Sequence, residues 1–243
     1  MAADMRRGEI AGILFDKDGT LLDFDASWAP VNRRLAAAAS RGDQALADRL
    51  LDACGMDPQS GHIRPDSLLA VAHTREIAAA MISAGSPFEL AELVALMDDL
   101  CAEASDLSVP VTDLAALFST LKQAGFRIGI ASSDNERSIR NIIRRFGLDE
   151  HVDYVAGYDS GHGAKPGAGM VLGFCRHTGL EPRQVAVVGD SNHDMHMGIN
   201  AGAGLRLAVL GGTGSRQSLE GAADHCLADI TELTDFLGVQ MPA

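Results

Sequence analysis

Residues 9–20 read Glu-Ile-Ala-Gly-Ile-Leu-Phe-Asp-Lys-Asp-Gly-Thr. The apolar run up to Phe15 predicts a short buried strand, and two carboxylates, Asp16 and Asp18, stand just past its end. Similar runs recur at 126–131 (FRIGIA), 152–156 (VDYVA), 184–189 (QVAVVG) and 205–210 (LRLAVL). Helical patterns lie between them. Thr112 can cap a helix to about Ala124, with Gly125 just past its end. Ile139, Ile142, Ile143 and Phe146 form a helical stripe over 135–146. A further helix is predicted over 166–178, stopped by Gly179. Strand and helix alternate, which predicts an α/β fold: a doubly wound, mostly parallel sheet with helices on both faces and right-handed crossovers.

One segment breaks the alternation. From about 25 to 108 no strand is legible, and Ala-rich helical patterns cover 31–40, 43–54 and 67–84. Ser86-Pro87-Phe88-Glu89 has the form of a helix start, with Ser as cap and Pro at the first position. Such a stretch is too long for a loop. The expected organisation is therefore a core of residues 1–23 and 109–243, with a smaller helical domain of residues 24–108 inserted after the first strand. Val109-Pro110-Val111 is the expected return linker.

Ligands of an open α/β sheet bind at the carboxyl ends of its strands. Those ends carry Asp16-Lys17-Asp18-Gly19-Thr20, then Ser132-Ser133-Asp134-Asn135, then Ala164-Lys165-Pro166, then Asp190-Ser191-Asn192-His193-Asp194. Two acidic clusters, a hydroxyl loop and a lysine are thus expected on one rim. Lysine usage points the same way. The chain has three lysines against seventeen arginines, so Arg fills its solvated basic positions. A lysine kept at 165 suggests a need for a compact ammonium. Lys17 is expected to point away from the site by strand alternation, and Lys122 to be an ordinary surface residue on a helix.

The 243 residues carry a formal net charge of −13, which argues against a nucleic-acid partner, since no basic run offsets it. No apolar stretch reaches the roughly 20 residues of a membrane helix. The run after Arg6 and Arg7 ends at Asp16, too short for a signal-peptide core. Four cysteines at 54, 101, 175 and 226 form no CxxC pair, which suggests reduced, mostly buried thiols in a cytoplasmic protein.

The four rim motifs, DKDGT, the Ser132 loop, Lys165-Pro166 and GDSNHD, resemble those of the haloacid dehalogenase-like phosphohydrolases, in the branch with a helical cap inserted after the first motif. The resemblance covers about 160 residues of core; the inserted segment matches only in position and helical character. It implies a phosphatase acting on a small soluble phosphate monoester of phosphoglycolate or sugar-phosphate type. Asp16 would be the nucleophile that forms an aspartyl phosphate, and Asp18 the general acid and then base. Mg2+ would be held by Asp16, the backbone carbonyl of Asp18, and Asp190. Asp194 would orient the metal shell or Lys165. Ser132, with the Ser133 amide, and Lys165 would bind phosphate. A phosphomutase of the same family and a non-enzymatic phospho-acceptor module are the alternatives. The long insertion and the early position of Asp16 favour the enzyme over the module.

Blander readings exist for single motifs. A calcium-binding EF-hand loop needs Gly at its sixth position, whereas Gly19 is fourth counted from Asp16. His193 and His196 beside Asp190 and Asp194 leave a transition-metal site as another reading. In the insert, His62, Arg64, His73 and Arg75 could face a substrate anion. Arg64, in the Gly/Pro-bounded loop SGHIRPDS, is the candidate to overhang the site.

Overall fold

The computed structural model describes residues 9–64, 67–103 and 107–239. Arg6 and Arg7 lie outside these residues. The sheet has six strands: β1 (Gly12–Phe15), β2 (Arg127–Ala131), β3 (Tyr154–Ala156), β4 (Val185–Gly189), β5 (Leu205–Val209) and β6 (His225–Leu227). Their order is β3-β2-β1-β4-β5-β6, and every pairing is parallel. The chain winds outward from β1 on one side, then returns to β4 on the other. The crevice where such a winding reverses is where an open α/β sheet takes its ligand.

The helices cover both faces because the strand residues alternate. Ile13 and Phe15 pack in one apolar cluster with Phe118, Ile128, Ile139 and Val188. Leu14, between them, faces a second cluster with Phe174, Val185 and Val187. Three of the core helices keep their expected extents to within a few residues. The first of them, Leu114–Gln123, is capped by Asp113 rather than Thr112. Asn135 caps the helix Glu136–Arg145, and the helix Gly169–Thr178 ends on a left-handed Gly179.

Between residues 24 and 108 the described residues form α1 (Phe24–Ala39), α2 (Gln44–Cys54), α3 (Leu68–Val71), α4 (Thr74–Ser83) and α5 (Leu90–Glu103), and no strand. α1 starts earlier than its pattern suggests: Asp23 caps it by accepting from the Ala26 amide at 3.0 Å, and it runs through Pro30. The expected helix over 67–84 is broken into α3 and α4 at Ala72 and His73. Ser86 caps nothing. It is buried, and its Oγ donates to the Ala39 carbonyl at 2.8 Å, while α5 begins at Leu90. These helices close an apolar cluster of their own around Leu35, Leu50, Met56, Met81 and Leu93.

The chain leaves and re-enters the sheet side by side. The Asp23 amide donates to the Val109 carbonyl at 2.8 Å, and the Val111 amide to the Leu21 carbonyl at 3.0 Å. Across the gap, Asp98 of α5 accepts from Tyr158 Oη at 2.8 Å and Asn135 Nδ2 at 3.3 Å.

Lys122 is no ordinary surface residue. Its ammonium lies 2.8 Å from both oxygens of Asp153, which also accepts from Arg127 at 3.0 Å and the Ile128 amide at 2.8 Å. Burial alone would raise the Asp153 pKa, but the Lys122, Ile128 and Arg127 hydrogen bonds together hold it below the usual value. Asp153→Ala should therefore cost roughly 1–3 kcal/mol of stability at neutral pH. The carboxylate contributes in full above its unfolded pKa near 3.8 and loses its contribution as pH falls through the lower folded value. Urea unfolding at pH 7 and at about pH 3 checks both parts: the difference between variant and wild type should shrink in acid.

Candidate active site

Each strand end delivers one group. Asp16 follows β1, and its amide donates to the Val188 carbonyl at 2.8 Å, which fixes it between β1 and β4. Ser132 follows β2 and Asp190 follows β4. Lys165 comes from the loop beyond β3 and Asp194 from the first turn of the helix Asn192–Ala201. Asp16, Asp18, Ser132, Ser133, Lys165, Asp190 and Asp194 all line one cleft with an empty volume of about 660 Å3, part of it open to solvent.

Lys165 is the hub. Its Nζ lies 2.5 Å from Asp16 Oδ1 and 2.6 Å from Asp194 Oδ1, with its side chain 2% exposed. The two carboxylates outweigh burial, so the ammonium stays charged, with its pKa above the usual lysine value. Asp194 is held from its other oxygen by Ser191, whose Oγ donates at 2.6 Å and whose amide donates at 3.1 Å. Asp194 thus holds the lysine ammonium on one side and the Ser191 cap on the other.

Negative charge exceeds positive here. Burial, opposed by Lys165, raises the pKa of Asp16 well above the usual range, and Asp194 and Asp190 raise it further. Burial and then the Asp194 charge push Asp190 up to about 7. Asp190 is nevertheless held in place. Its Oδ2 accepts from the Thr213 amide at 2.6 Å and from Thr213 Oγ1 at 2.9 Å. A Cβ on Gly212 would sit 2.0 Å from that oxygen and one on Gly19 2.4 Å from it, so both glycines keep room for the carboxylate. Carboxylate oxygens of Asp16, Asp190 and Asp194 lie within 4.8 Å of one another. A buried, all-oxygen donor set with surplus negative charge fits a hard divalent cation.

Asp18 sits apart from this cluster. Its Oδ1 accepts from Trp28 Nε1 of α1 at 2.6 Å, and its Oδ2 lies 3.0 Å from Lys17 Nζ. Burial raises its pKa, against the opposing Lys17 charge. Lys17, expected to point away from the site, does not line the cleft. It turns away from Asp16, but it is buried, spans Asp18 and Asp134 (2.8 Å), and lies 5.4 Å over the Trp28 ring. Neither partner carboxylate could stay buried and ionised alone.

Two expectations fail. Arg64 does not line the cleft: its half-exposed guanidinium pairs with Asp52 at 2.9 Å and donates to the Asp52 carbonyl. The nearer carboxylate and carbonyl claim it. His62 and Arg75 are exposed, and His73 stacks on Tyr158 at 5.3 Å. His193 and His196 also stand outside the carboxylate cluster among the described residues, with His196 Nδ1 against the Asn192 carbonyl at 2.8 Å. Sequence reasoning missed Gly212 and Thr213. The loop Gly211-Gly-Thr-Gly214 after β5 carried the signal, since it is another strand end on the same rim.

The family model described as haloacid dehalogenase-like hydrolase matches residues 10–202. The chain belongs to this family. N-acetylmuramic acid 6-phosphate phosphatase of Pseudomonas aeruginosa is 25% identical over 198 residues, 82% of this chain and 81% of that protein. Phosphoglycolate phosphatase of Pasteurella multocida is 28% identical over 108 residues, which span 44% of this chain and 46% of that relative. The fold of CbbY from Rhodobacter sphaeroides, solved in complex with phosphate, superposes with a TM-score of 0.69 at 20% identity, covering 92% of this chain and 96% of that one. This haloacid dehalogenase-like protein is thus an enzyme, a hydrolase of the phosphatase type, on the six-stranded parallel core of its family.

The surplus carboxylates give a test. A group whose pKa is raised on folding binds its proton more tightly folded than unfolded. Asp190 therefore lowers stability progressively as pH climbs from 3.8 to about 7, unless a cation neutralises it. With EDTA, Tm should fall across that window, and added Mg2+ should restore most at its upper end. A Tm in EDTA that rises or stays level from pH 5 to 7.5 would contradict this charge balance.

Proposed function

We propose that this enzyme is a Mg2+-dependent phosphatase that hydrolyses a small soluble phosphate monoester through an aspartyl phosphate on Asp16. The observation that carries the reading is the meeting of Asp16, Ser132, Lys165 and Asp190 in one cleft, with Lys165 Nζ 2.5 Å from Asp16. Phosphoryl transfer needs positioning and charge neutralisation more than covalent assistance. A dianionic ester entering a rim of carboxylates needs positive charge on both sides. Lys165 supplies one side. Asp16, the Asp18 carbonyl and Asp190, with Asp194 beside them, are the groups to hold Mg2+, which when bound would neutralise ester and nucleophile.

The chain's own residues divide the rest. Ser132 Oγ and the Ser133 amide hold phosphate oxygens. The Asp16 carboxylate attacks phosphorus, and the bond to the leaving oxygen breaks as Asp18 gives that oxygen a proton. Asp18, now ionised, takes a proton from water. The water oxygen attacks phosphorus and frees Asp16 and inorganic phosphate. The helices of 24–108 act as a cap domain over a core of 1–23 and 109–243, and exclude water from the cleft. The separate apolar cluster of the insert supports that division. The four free cysteines, three of them buried, support a reducing, cytoplasmic setting.

Asp16→Asn should abolish phosphate release from a panel of phosphorylated metabolites while far-UV circular dichroism stays that of the wild type. Asp18→Asn should lower kcat by about a hundredfold or more. Quenched-flow trapping of acid-labile protein-bound phosphate would check the order of steps. Full turnover by Asp16→Asn would remove the nucleophile assignment.

A further inference from the structure

The cleft described above has a second half, away from the carboxylates. Its wall comes from the inserted helices: Phe24, Leu35, Leu69, Ile77 and Met97 line it, together with the Trp28 ring. Trp28 has already spent its one N–H on Asp18, so it offers the leaving group only its apolar face. The Cys101 thiol also lines the wall. Burial, then the Asp134 charge, push its pKa well up, so it stays neutral.

Among the described residues, no cationic side chain lines this half. Residues 24–108 contain no lysine and six arginines. Arg33, Arg34, Arg41, Arg49, Arg64 and Arg75 are all exposed, and none lines the cleft. Among the described residues, Lys165 is the one basic side chain lining the cleft, and Asp16 and Asp194 already hold it. Asp18 and Asp134 line it as well. Lys17 spans those two acids from behind the wall and does not line the cleft, so a carboxylate or second phosphate on the leaving group would lose its water and meet no unpaired cation.

One polar group stands out on this wall. Asn32 of α1 is 1% exposed and lines the cleft, and its Nδ2 has no hydrogen-bond partner. A buried amide donor left unpaired is costly, and a ligand acceptor would satisfy it.

We propose that the substrate is a phosphomonoester of an uncharged, predominantly apolar alcohol that presents one hydrogen-bond acceptor to Asn32. Esters whose leaving group carries a second anionic group are poor substrates. This substrate class rests on the phosphatase reading above.

The test measures kcat/KM by phosphate release with Mg2+ for benzyl phosphate, 4-methoxybenzyl phosphate, 4-carboxybenzyl phosphate and phosphoglycolate. Benzyl phosphate should exceed both carboxylated esters by about tenfold or more. The methoxy compound should exceed benzyl phosphate in the wild type, and that ratio should fall to about one in Asn32→Leu. Removing an unpaired buried amide should not lower the Tm of that variant by more than a few degrees. Carboxylated esters hydrolysed as fast as benzyl phosphate, or faster, would overturn the substrate class and leave the phosphatase reading standing. Release from none of the four, nor from any ester of a wider metabolite panel, would overturn both. A methoxy preference unchanged in Asn32→Leu would remove Asn32 as the acceptor's partner.

Discussion

Asp16, Asp190 and Asp194 share one buried rim with a single lysine between two of them, and this imbalance of charge organises the molecule. Buried carboxylates of like sign repel and resist ionisation unless each has a partner. The structure answers with specific local devices. Lys165 bridges Asp16 and Asp194, Ser191 holds the free oxygen of Asp194, and Thr213 holds Asp190. Glycines at 19 and 212 leave room where a Cβ would collide with Asp190. These groups sit at strand ends, at a helix start, or in the loops that follow the strands, so the parallel sheet is the frame that keeps the charges close. Removing the frame would let the acids separate, and removing the lysine would leave them unpaired.

Much of that frame was legible because its signals are local. Five apolar runs of five to seven residues correspond to five strands, with boundaries tighter by one to three residues. The sixth strand was not legible. His225–Leu227 is three residues long and begins with an exposed histidine, so only its pairing with β5 defines it. The same contrast holds in the helices. The patterns expected from 43 and from 135 begin on Asp43 and Asn135, which cap their helices, because capping needs only near neighbours. The break at Ala72 and His73 and the fate of Ser86 depend on distant contacts, with Tyr158 and Ala39 respectively. Sequence period does not carry such contacts.

The site divides along the same line. Asp16, Ser132, Lys165 and Asp190 announce themselves by residue type at strand ends. Arg64 resembled a substrate clamp by type and loop position, yet a neighbouring helix end holds it through Asp52. Charge type alone does not give direction. What distinguishes this cleft from the rim chemistry its family shares is an absence: no described arginine of the inserted helices faces inward. The phosphate half is dense with ionic groups, and the other half is walled mainly by apolar side chains.

The three lysines have a common fate. Lys17 is locked to Asp18 and Asp134, Lys165 to Asp16 and Asp194, and Lys122 to both oxygens of Asp153. Only the last retains appreciable exposure, a quarter of its side chain. Acylating or cross-linking reagents that seek ε-amines thus have almost nothing to react with on the folded surface. Fourteen exposed arginines among the described residues carry the basic exterior instead, untouched by such chemistry. Labelling at position 17 or 165 would report that an internal ion pair had come apart, which makes each buried amine a built-in gauge of local unfolding.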